Sequence, residues 1–557
     1  MLNFEKSQSI NMPVRLVKPH LEIPFINFEL SEKFWPLISA PVKEKHGTNE
    51  VTDAALVQEA LKASYSVCGA LFMEALATET RTSFYLYVQH LLENTHEIYL
   101  DILAGKEVIV DKSELANVRR TLRIILEQSV TLDLKGAPNF LVEIKDNVKT
   151  YIGKLEELLY LGYQAFLISQ EIARSQLFPK TTGIDVDEHG LLAMYPRPPY
   201  NALFDYLEAD IPKHDKSVTI YHNLTELIAI WNSLGIDYKE LTSFMADQIS
   251  KPVFRISVMP KAEFYEQINK QFGKAAGLAI DFYAGLTINR ANVLSFGDCI
   301  LRSQDNHRIM YRPLVELTID EKPYLIAGLN RWHESMTTLT TNALPWGQVA
   351  EEWKQHQAIK DFVQHLESTH DDVLEDAAVV LLKAKNIPYD KSIKSLKQHK
   401  GNNLNIENIA GVGEIDLLFA DLEKRILYVA ECKHNKSRFD YFNWKRDYTS
   451  FKPKYETQLN NKLTYAQANT ERMLIHLEVV NGIQIENKSA YHVEGIFVIN
   501  APTLYMYDAA YPTLTLHNLE QLLNNTYVIP KFQVKMPDGN EMLIEQPYFQ
   551  NLNKEIN

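Results

Sequence analysis

The sequence predicts a multidomain α+β protein in three parts, and three observations support this fold class. A chain of 557 residues is too long for one hydrophobic core. Long stretches with apolar residues at helical spacing dominate residues 1–290, and short β-rich stretches follow in residues 291–350. In residues 351–557 helical and strand patterns alternate. We therefore predict a mostly α-helical N-terminal region, a small β meander with a linker, and a C-terminal α/β domain.

The N-terminal region is predicted to be a series of helices. Thr52-Asp53 is a capping signal for the first of them, and Ser113 is the predicted N-cap of the third, with Asp111 just before it. The prolines of the sequence Tyr-Pro-Arg-Pro-Pro-Tyr at 195–200 must interrupt regular structure and predict a joint near 195–215. The predicted helices are 52–77, 83–103, 113–128, 140–169, 224–234, 238–248 and 262–286.

The pattern changes near Asn292. Three short β-rich stretches follow, at 293–302, 307–318 and 322–329, and polar turn residues separate them. They predict a small hairpin or meander. A helix around Trp353 and Phe362 then leads into the C-terminal domain.

The C-terminal domain is predicted to begin with a helix at 371–385 and a strand at 389–393. Two adjacent strands follow, at 413–419 and 426–433, joined by a polar turn. An amphipathic helical stretch at 453–477 and a strand at 491–499 complete the order. The second of the adjacent strands is apolar until it ends in Glu431-Cys432-Lys433.

These two adjacent strands carry the clearest chemical signal in the chain. Side chains alternate along a strand, so Glu431 and Lys433 project from the same face. Strand pairing can bring Asp416 beside Glu431. Two carboxylates and a lysine on buried strands are costly to a fold that does not use them. Mg²⁺ prefers oxygen ligands and needs only one or two carboxylates beside water and substrate phosphate.

Asp416 followed by Glu431-x-Lys433 resembles the PD-(D/E)XK, or restriction-endonuclease-like, superfamily of phosphodiesterases. Ile415 stands where the proline of the family pattern would precede the acid. The resemblance covers roughly residues 356–530 and implies an αβββαβ core with Mg²⁺, or Mn²⁺ in its place, as cofactor. It implies Asp416 and Glu431 as metal ligands and Lys433 as the catalytic lysine.

Two further residues occupy positions at which members of the family carry site residues. Glu375, on the first helix, is predicted as a third metal ligand or an acid that positions water. Gln458, on the second helix, matches a glutamine that some branches place near the site. The alternative for Glu375 is a solvated helix face, and for Gln458 it is an ordinary polar position.

The net charge of −14 conceals a local excess of cations around the motif. Lys436, Arg438, Lys445 and Arg446 follow it and are interleaved with aromatics that include Phe439 and Trp444. Cations mixed with aromatics fit a surface that grips a phosphate backbone, and we predict these four as nucleic-acid contacts. The alternative is a solvated loop that covers the core with its aromatics. Upstream cations are Lys391, Lys394, Lys397 and Lys400.

Other classes of function lack their sequence signals. There is no GxxxxGK[ST], GxSxG or HExxH sequence and no paired CxxC. Three cysteines without metal spacing suit a reducing compartment, and no apolar run is long enough to cross a membrane. We therefore expect a cytoplasmic protein.

The resemblance implies Mg²⁺-dependent hydrolysis of phosphodiester bonds in nucleic acid, with DNA favoured over RNA. The expected setting is bacterial antiviral defence, restriction or repair, with a protein partner or self-association through the helical N-terminal region. The alternative is a non-catalytic module, built on a nuclease-like fold, that docks nucleic acid or protein.

Overall fold

The computed structural model describes residues 13–18, 21–108, 110–136, 140–214, 222–250, 255–438, 440–536 and 539–556. The protein is an α+β chain whose N-terminal half is largely helical and whose C-terminal part contains a mixed sheet. No helix within the described ranges combines the length and the apolar character that a membrane span requires.

The helices of the N-terminal half follow the predicted pattern with some changed ends. Asp111, and not Ser113, is the N-cap of the third long helix, because its carboxylate accepts the backbone N–H groups of Ser113 and Glu114. The predicted helix 262–286 is interrupted at Gly273, whose φ is +52°. The helices up to residue 290 are Ser31–Ile38, Ala40–His46, Ala54–Ala77, Thr82–Leu103, Lys112–Ser129, Phe140–Leu177, Tyr200–Asp210, His222–Leu234, Tyr238–Ser250, Lys261–Phe272 and Ala276–Gly285.

The predicted meander is part of a larger sheet. Leu314–Ile319 and Lys322–Gly328 form an antiparallel hairpin, as expected. Ile256–Pro260 pairs with the second strand of this hairpin, and the first strand pairs in parallel with Asp133–Leu134 and Thr287–Ile288. Strands from before residue 291 therefore complete the sheet, and the β segment is not self-contained.

The expectation of a strand at 293–302 is wrong. This stretch contains the helix Phe296–Leu301, whose N-cap Ser295 accepts the backbone N–H of Asp298. Three α-helices follow the hairpin and precede the C-terminal sheet in the described part of the chain: Leu329–Thr338, Gln357–Thr369 and Asp372–Ala384.

The C-terminal sheet has five strands in the order Tyr389–Ile393, Ile415–Asp421, Ile426–Lys433, His492–Ile499 and Thr513–Thr515. The first two pairings are antiparallel and the last two are parallel. The polar turn and the two motif strands therefore form the hairpin that the sequence predicts.

Helices cover both faces of this sheet. One face shares a core with the helices Asp372–Ala384 and Leu516–Leu523. The other face shares a core with the helices Glu456–Ala468 and Thr470–Asn481. The predicted single helix at 453–477 is thus two helices that meet at Asn469. A further helix, Tyr441–Ser450, and the C-terminal helix Tyr548–Ile556 also belong to this part.

The N-terminal half is joined to the C-terminal core by packing. Phe178 stacks on Phe549 with ring centroids 3.6 Å apart, and Phe204 lies in the same cluster. The backbone N–H of Tyr441 donates to Gln170 on the helix Phe140–Leu177. The described part of the predicted joint, 195–214, carries the helix Tyr200–Asp210 in this shared core, and residue 215 lies outside the described residues.

Candidate active site

The register of the central hairpin brings the motif residues together. Leu417 lies opposite Ala430, so one step further along the ladder places Asp416 beside Glu431. Asp416 Oδ2 accepts the backbone N–H of Cys432 at 2.9 Å, which fixes the carboxylate against the neighbouring strand. Antiparallel pairing with this register puts both acids at the same end of the sheet.

The two carboxylates converge on one ammonium group. Lys462 Nζ lies 3.0 Å from Asp416 Oδ1 and 2.5 Å from Glu431 Oε2, so these two oxygens are separated by no more than 5.5 Å, the sum of the two distances. Lys433 Nζ donates to the other oxygen of Glu431 at 2.8 Å. Glu431 is only 3% exposed, and these two ammonium groups offset the cost of burying a carboxylate there.

Lys462 is the site residue that the sequence analysis missed. It lies on the helix Glu456–Ala468, one turn after Gln458, so both side chains are on one side of the helix. The spacing Gln458-x-x-x-Lys462 was visible in the sequence. Its meaning depended on which helix turn packs over the motif strands, and only the tertiary structure shows that.

Both lysines are held in the charged form. Burial alone would lower the pKa of Lys433, but the charges of Glu431 and Asp416 raise it above its ordinary value. The same balance of burial against the two carboxylates raises the pKa of Lys462. Lys433 Nζ also lies over the ring of Tyr455, 4.8 Å from its centroid, a contact that favours a cation.

Glu375 lies near the site but is held by a different partner. It is buried, and Ser392 Oγ donates to its Oε2 at 2.9 Å. Burial raises its pKa to about 7, and the nearby Asp416 charge adds to the rise. Within the described ranges no three His, Cys, Asp or Glu side chains form a metal-binding group, so Glu375 does not join the other two acids in a three-residue set. Its role as a ligand stays a prediction.

Gln458 provides an oxygen that lacks a partner. Its Oε1 is buried, and no donor among the described residues lies within hydrogen-bond distance. Gln458 borders the same pocket as Glu431 and Lys462. Two carboxylates together with an unpartnered amide oxygen are hard donors of the kind that Mg²⁺ prefers, so the residues fit this cation.

A basic cleft of about 510 Å³ adjoins this site, and Lys433 and Gln458 are among its lining residues. A second cleft of about 430 Å³ shares Lys436, Arg438, Arg446 and Gln348 with the first. The second cleft is also lined by residues of the segment 291–350. Besides the shared Gln348, these residues are Arg302, Gln304 and Asp305.

Three of the four predicted nucleic-acid contacts line these clefts, and one does not. Lys436, Arg438 and Arg446 border both. Lys445 lines neither; its ammonium donates to Gln176 on the helix Phe140–Leu177, so it lies against the N-terminal half. Helical geometry accounts for the difference, because consecutive helix residues point about 100° apart.

The remaining cations and aromatics of the stretch have varied positions. Lys391 is 2.6 Å from Asp376 and Lys394 is 3.5 Å from Glu414, so these two lysines neutralise acids of the domain itself. Trp444 is buried, with its Nε1 donating to the carbonyl of Arg438, which fits the alternative of an aromatic covering the core. Phe439 lies outside the described residues.

Comparison of the chain with known protein families, with curated proteins and with solved structures finds no match.

Proposed function

We propose that the C-terminal part of this protein is a metal-dependent phosphodiesterase that cleaves nucleic acid, with a PD-(D/E)XK-like site. One observation carries the proposal: Asp416 and Glu431, on neighbouring strands, converge on a single cationic group while Lys433 contacts Glu431. A site that holds one ammonium between two carboxylates has the charge and the oxygen donors to hold a divalent cation.

Asp416, Glu431 and the Gln458 amide oxygen would hold Mg²⁺ or Mn²⁺. When bound, such a cation lowers the pKa of water and offsets charge on phosphate oxygens. The protonated Lys433 lines the cleft, where it would donate hydrogen bonds to a substrate phosphate and stabilise the negative charge of the transition state. Its raised pKa favours this role over that of a general base.

The two clefts provide the surface for the substrate. Lys436, Arg438 and Arg446 line them from the C-terminal part, and Arg302 lines the second cleft from the segment 291–350. Backbone phosphates require such local cations even where the net charge of the protein is negative. Only the resemblance to the nuclease superfamily favours DNA as the substrate. A role in defence or repair rests on the same resemblance.

A cleavage assay with purified full-length protein tests the proposal. Labelled single- and double-stranded DNA and RNA are incubated with Mg²⁺, Mn²⁺ or EDTA. We expect metal-dependent cleavage that Asp416→Asn abolishes and that Lys433→Ala lowers by about 10²–10³-fold, as for the loss of one donor to the transition state.

The matched control is Glu423→Gln, in the exposed turn of the same hairpin, which should cleave like the wild type. Cleavage that survives both Asp416→Asn and Lys433→Ala would exclude this site. Circular dichroism confirms that each variant is folded before its activity is compared.

The second candidate is a non-catalytic docking module, and the position of Lys462 favours it. An internal ammonium already satisfies both carboxylates, so the site is neutralised without a metal. A docking module predicts nucleic-acid binding with the same affinity in EDTA and in Mg²⁺, and no cleavage of any substrate in the panel.

A further inference from the structure

A separate cavity of about 340 Å³ is lined by residues between 99 and 123 and between 303 and 334, and none of its lining residues belongs to the candidate active site. The helices Thr82–Leu103 and Lys112–Ser129 and residues between 303 and 334 form its walls. It shares no lining residue with either basic cleft. The lining residues are Tyr99, Ile102, Lys112, Leu115, Ala116, Arg119, Arg120, Arg123, Ser303, Arg308, Met310 and Glu334.

The charge of this cavity is strongly positive. Five cations line it, and Glu334 is the only acid in that lining. Arg119 and Arg123 both bind Glu334 Oε1, at 2.5 and 2.6 Å. Arg308 has its own partner outside the cavity, Glu127 at 2.8 Å. One carboxylate therefore serves two guanidinium groups, and Lys112 and Arg120 add to the excess.

Arg119 shows the consequence of this imbalance. It is 6% exposed, and no acceptor for its Nε–H exists among the residues that the structure describes. Burial and the charge of Arg123 lower the pKa of Arg119 to about 10, and burial lowers the pKa of Arg120 to about 10. A buried donor without an acceptor is costly. An anion in the cavity would accept from these groups and offset their charge.

The rest of the wall is apolar and aromatic. This part of the wall is formed by Tyr99, Ile102, Leu115 and Met310. The Arg119 guanidinium carbon lies over the Tyr99 ring, 4.5 Å from its centroid. A bare inorganic anion would leave this wall without a contact. The volume falls in the range of small-molecule sites, roughly 300–1,000 Å³. A ligand that contacts both the arginines and the apolar wall must therefore contain an anionic group joined to a planar or apolar group.

We propose that this cavity binds a small phosphate-bearing molecule of the nucleoside monophosphate class. The arginines hold the phosphate through charge-assisted hydrogen bonds, and the Tyr99 wall holds the planar part. The proposal does not depend on the function of the C-terminal site. A nucleic-acid backbone is the other source of phosphate, and the test separates the two.

Isothermal titration calorimetry of the full-length protein in EDTA tests the proposal with four probes: inorganic phosphate, adenosine, adenosine 5′-monophosphate and a short single-stranded oligonucleotide. We expect the monophosphate to bind more tightly than phosphate, and adenosine not to bind. Arg123→Gln should weaken monophosphate binding at least about tenfold, the effect of one charge-assisted hydrogen bond. The control Arg472→Gln, on an exposed helix position of the C-terminal part, should not change it.

Glu334→Gln should change the affinity for the monophosphate in the opposite direction to Arg123→Gln. Removal of the acid leaves both arginines free for the ligand, so monophosphate should bind more tightly than to the wild type. Loss of folding cannot mimic tighter binding. The proposal is overturned if the monophosphate does not bind, if Glu334→Gln weakens its binding, or if only the oligonucleotide binds in a manner sensitive to Arg123.

Discussion

The two buried charged clusters of this protein differ in their balance of charge. At the C-terminal site two carboxylates share Lys462, and Lys433 adds a second ammonium to Glu431. In the N-terminal cavity two arginines share one carboxylate, Glu334. The first cluster has oxygen ligands for a cation, and the second has hydrogen-bond donors for an anion. At the first cluster the acids and lysines balance, so its oxygen ligands indicate the class of ligand, whereas at the second cluster the excess of guanidinium charge indicates it.

The clusters also differ in how the backbone positions them. Asp416 and Glu431 belong to adjacent strands of one hairpin, and the pairing register fixes their separation. Arg119 and Glu334 are far apart in the chain and lie on different helices, which their ion pair joins. A hairpin can be predicted from sequence, and a contact between distant helices cannot.

Among the substitutions that test the difference between the two clusters, Lys462→Met should have the largest effect. The substitution keeps the side-chain volume and removes the charge shared by two acids. Without divalent metal we expect the free energy of unfolding to fall by about 3–5 kcal/mol, because buried carboxylates lose their partner. Urea unfolding monitored by circular dichroism measures this loss.

Added Mg²⁺ should stabilise the Lys462→Met protein more than the wild type, because the cation no longer competes with an ammonium group for the two acids. The exposed Lys383→Met on the helix Asp372–Ala384 is the control and should respond like the wild type. Equal stabilisation of all three proteins by Mg²⁺ would mean that these acids do not form a cation site.

An intermediate effect is expected from Arg446→Ala. Arg446 is exposed and borders both basic clefts, so it is placed to contact a phosphate. Its removal should reduce the slope of log affinity against log salt by about 1. Fluorescence anisotropy with labelled DNA in EDTA measures the slope.

The neighbouring Lys445→Ala is the matched control, since Lys445 contacts Gln176 and lines neither cleft. Its slope should equal that of the wild type. If Lys445→Ala changes the slope and Arg446→Ala does not, nucleic acid follows a different surface.

The smallest effect concerns pH. Burial and the charges of Arg438 and Arg446 together lower the pKa of Lys436 to about 7, against the opposing charge of Asp305. Lys436 therefore loses its proton as pH rises through 7, and nucleic-acid binding should weaken by up to about tenfold between pH 6 and 8. Lys436→Arg, which stays charged, should flatten this part of the profile. An equally steep profile in the arginine variant would assign the pH dependence to another group.

The stability of the protein should change with pH in the opposite direction. The pKa of Lys436 is lower in the folded protein than its ordinary value of 10.5, so the unfolded chain binds more protons between pH 7 and 10.5. This lysine therefore makes the free energy of unfolding rise with pH in that range. Lys436→Arg should remove its contribution.

Local sequence signals determined several parts of the structure. The alternation of side chains along a strand placed Glu431 and Lys433 on one face, and the polar turn after Asp421 predicted the hairpin that adds Asp416. The strand Tyr389–Ile393 was predicted with both of its ends. Each of these results depends on neighbours within a few residues or across one short turn.

Some local sequence signals were compatible with two different local structures. Asp111 and Ser113 both suit an N-cap, and the backbone of Asp111 selected the aspartate. The sequence 293–302 has β-forming residues, but Ser295 caps a short helix there. In both cases the pattern was visible, and the capping hydrogen bonds of the folded chain show which alternative is adopted.

What the sequence by itself determined is the helical character of the N-terminal half and the pair of strands that carry two acids and a lysine. Tertiary structure alone decided that Lys462 would lie between those acids, that Lys445 would face away from the clefts, and that strands before residue 291 would complete the N-terminal sheet. The physical reason is the range of the forces: backbone geometry acts between neighbours, whereas burial and ion pairing act between whichever groups the fold brings together.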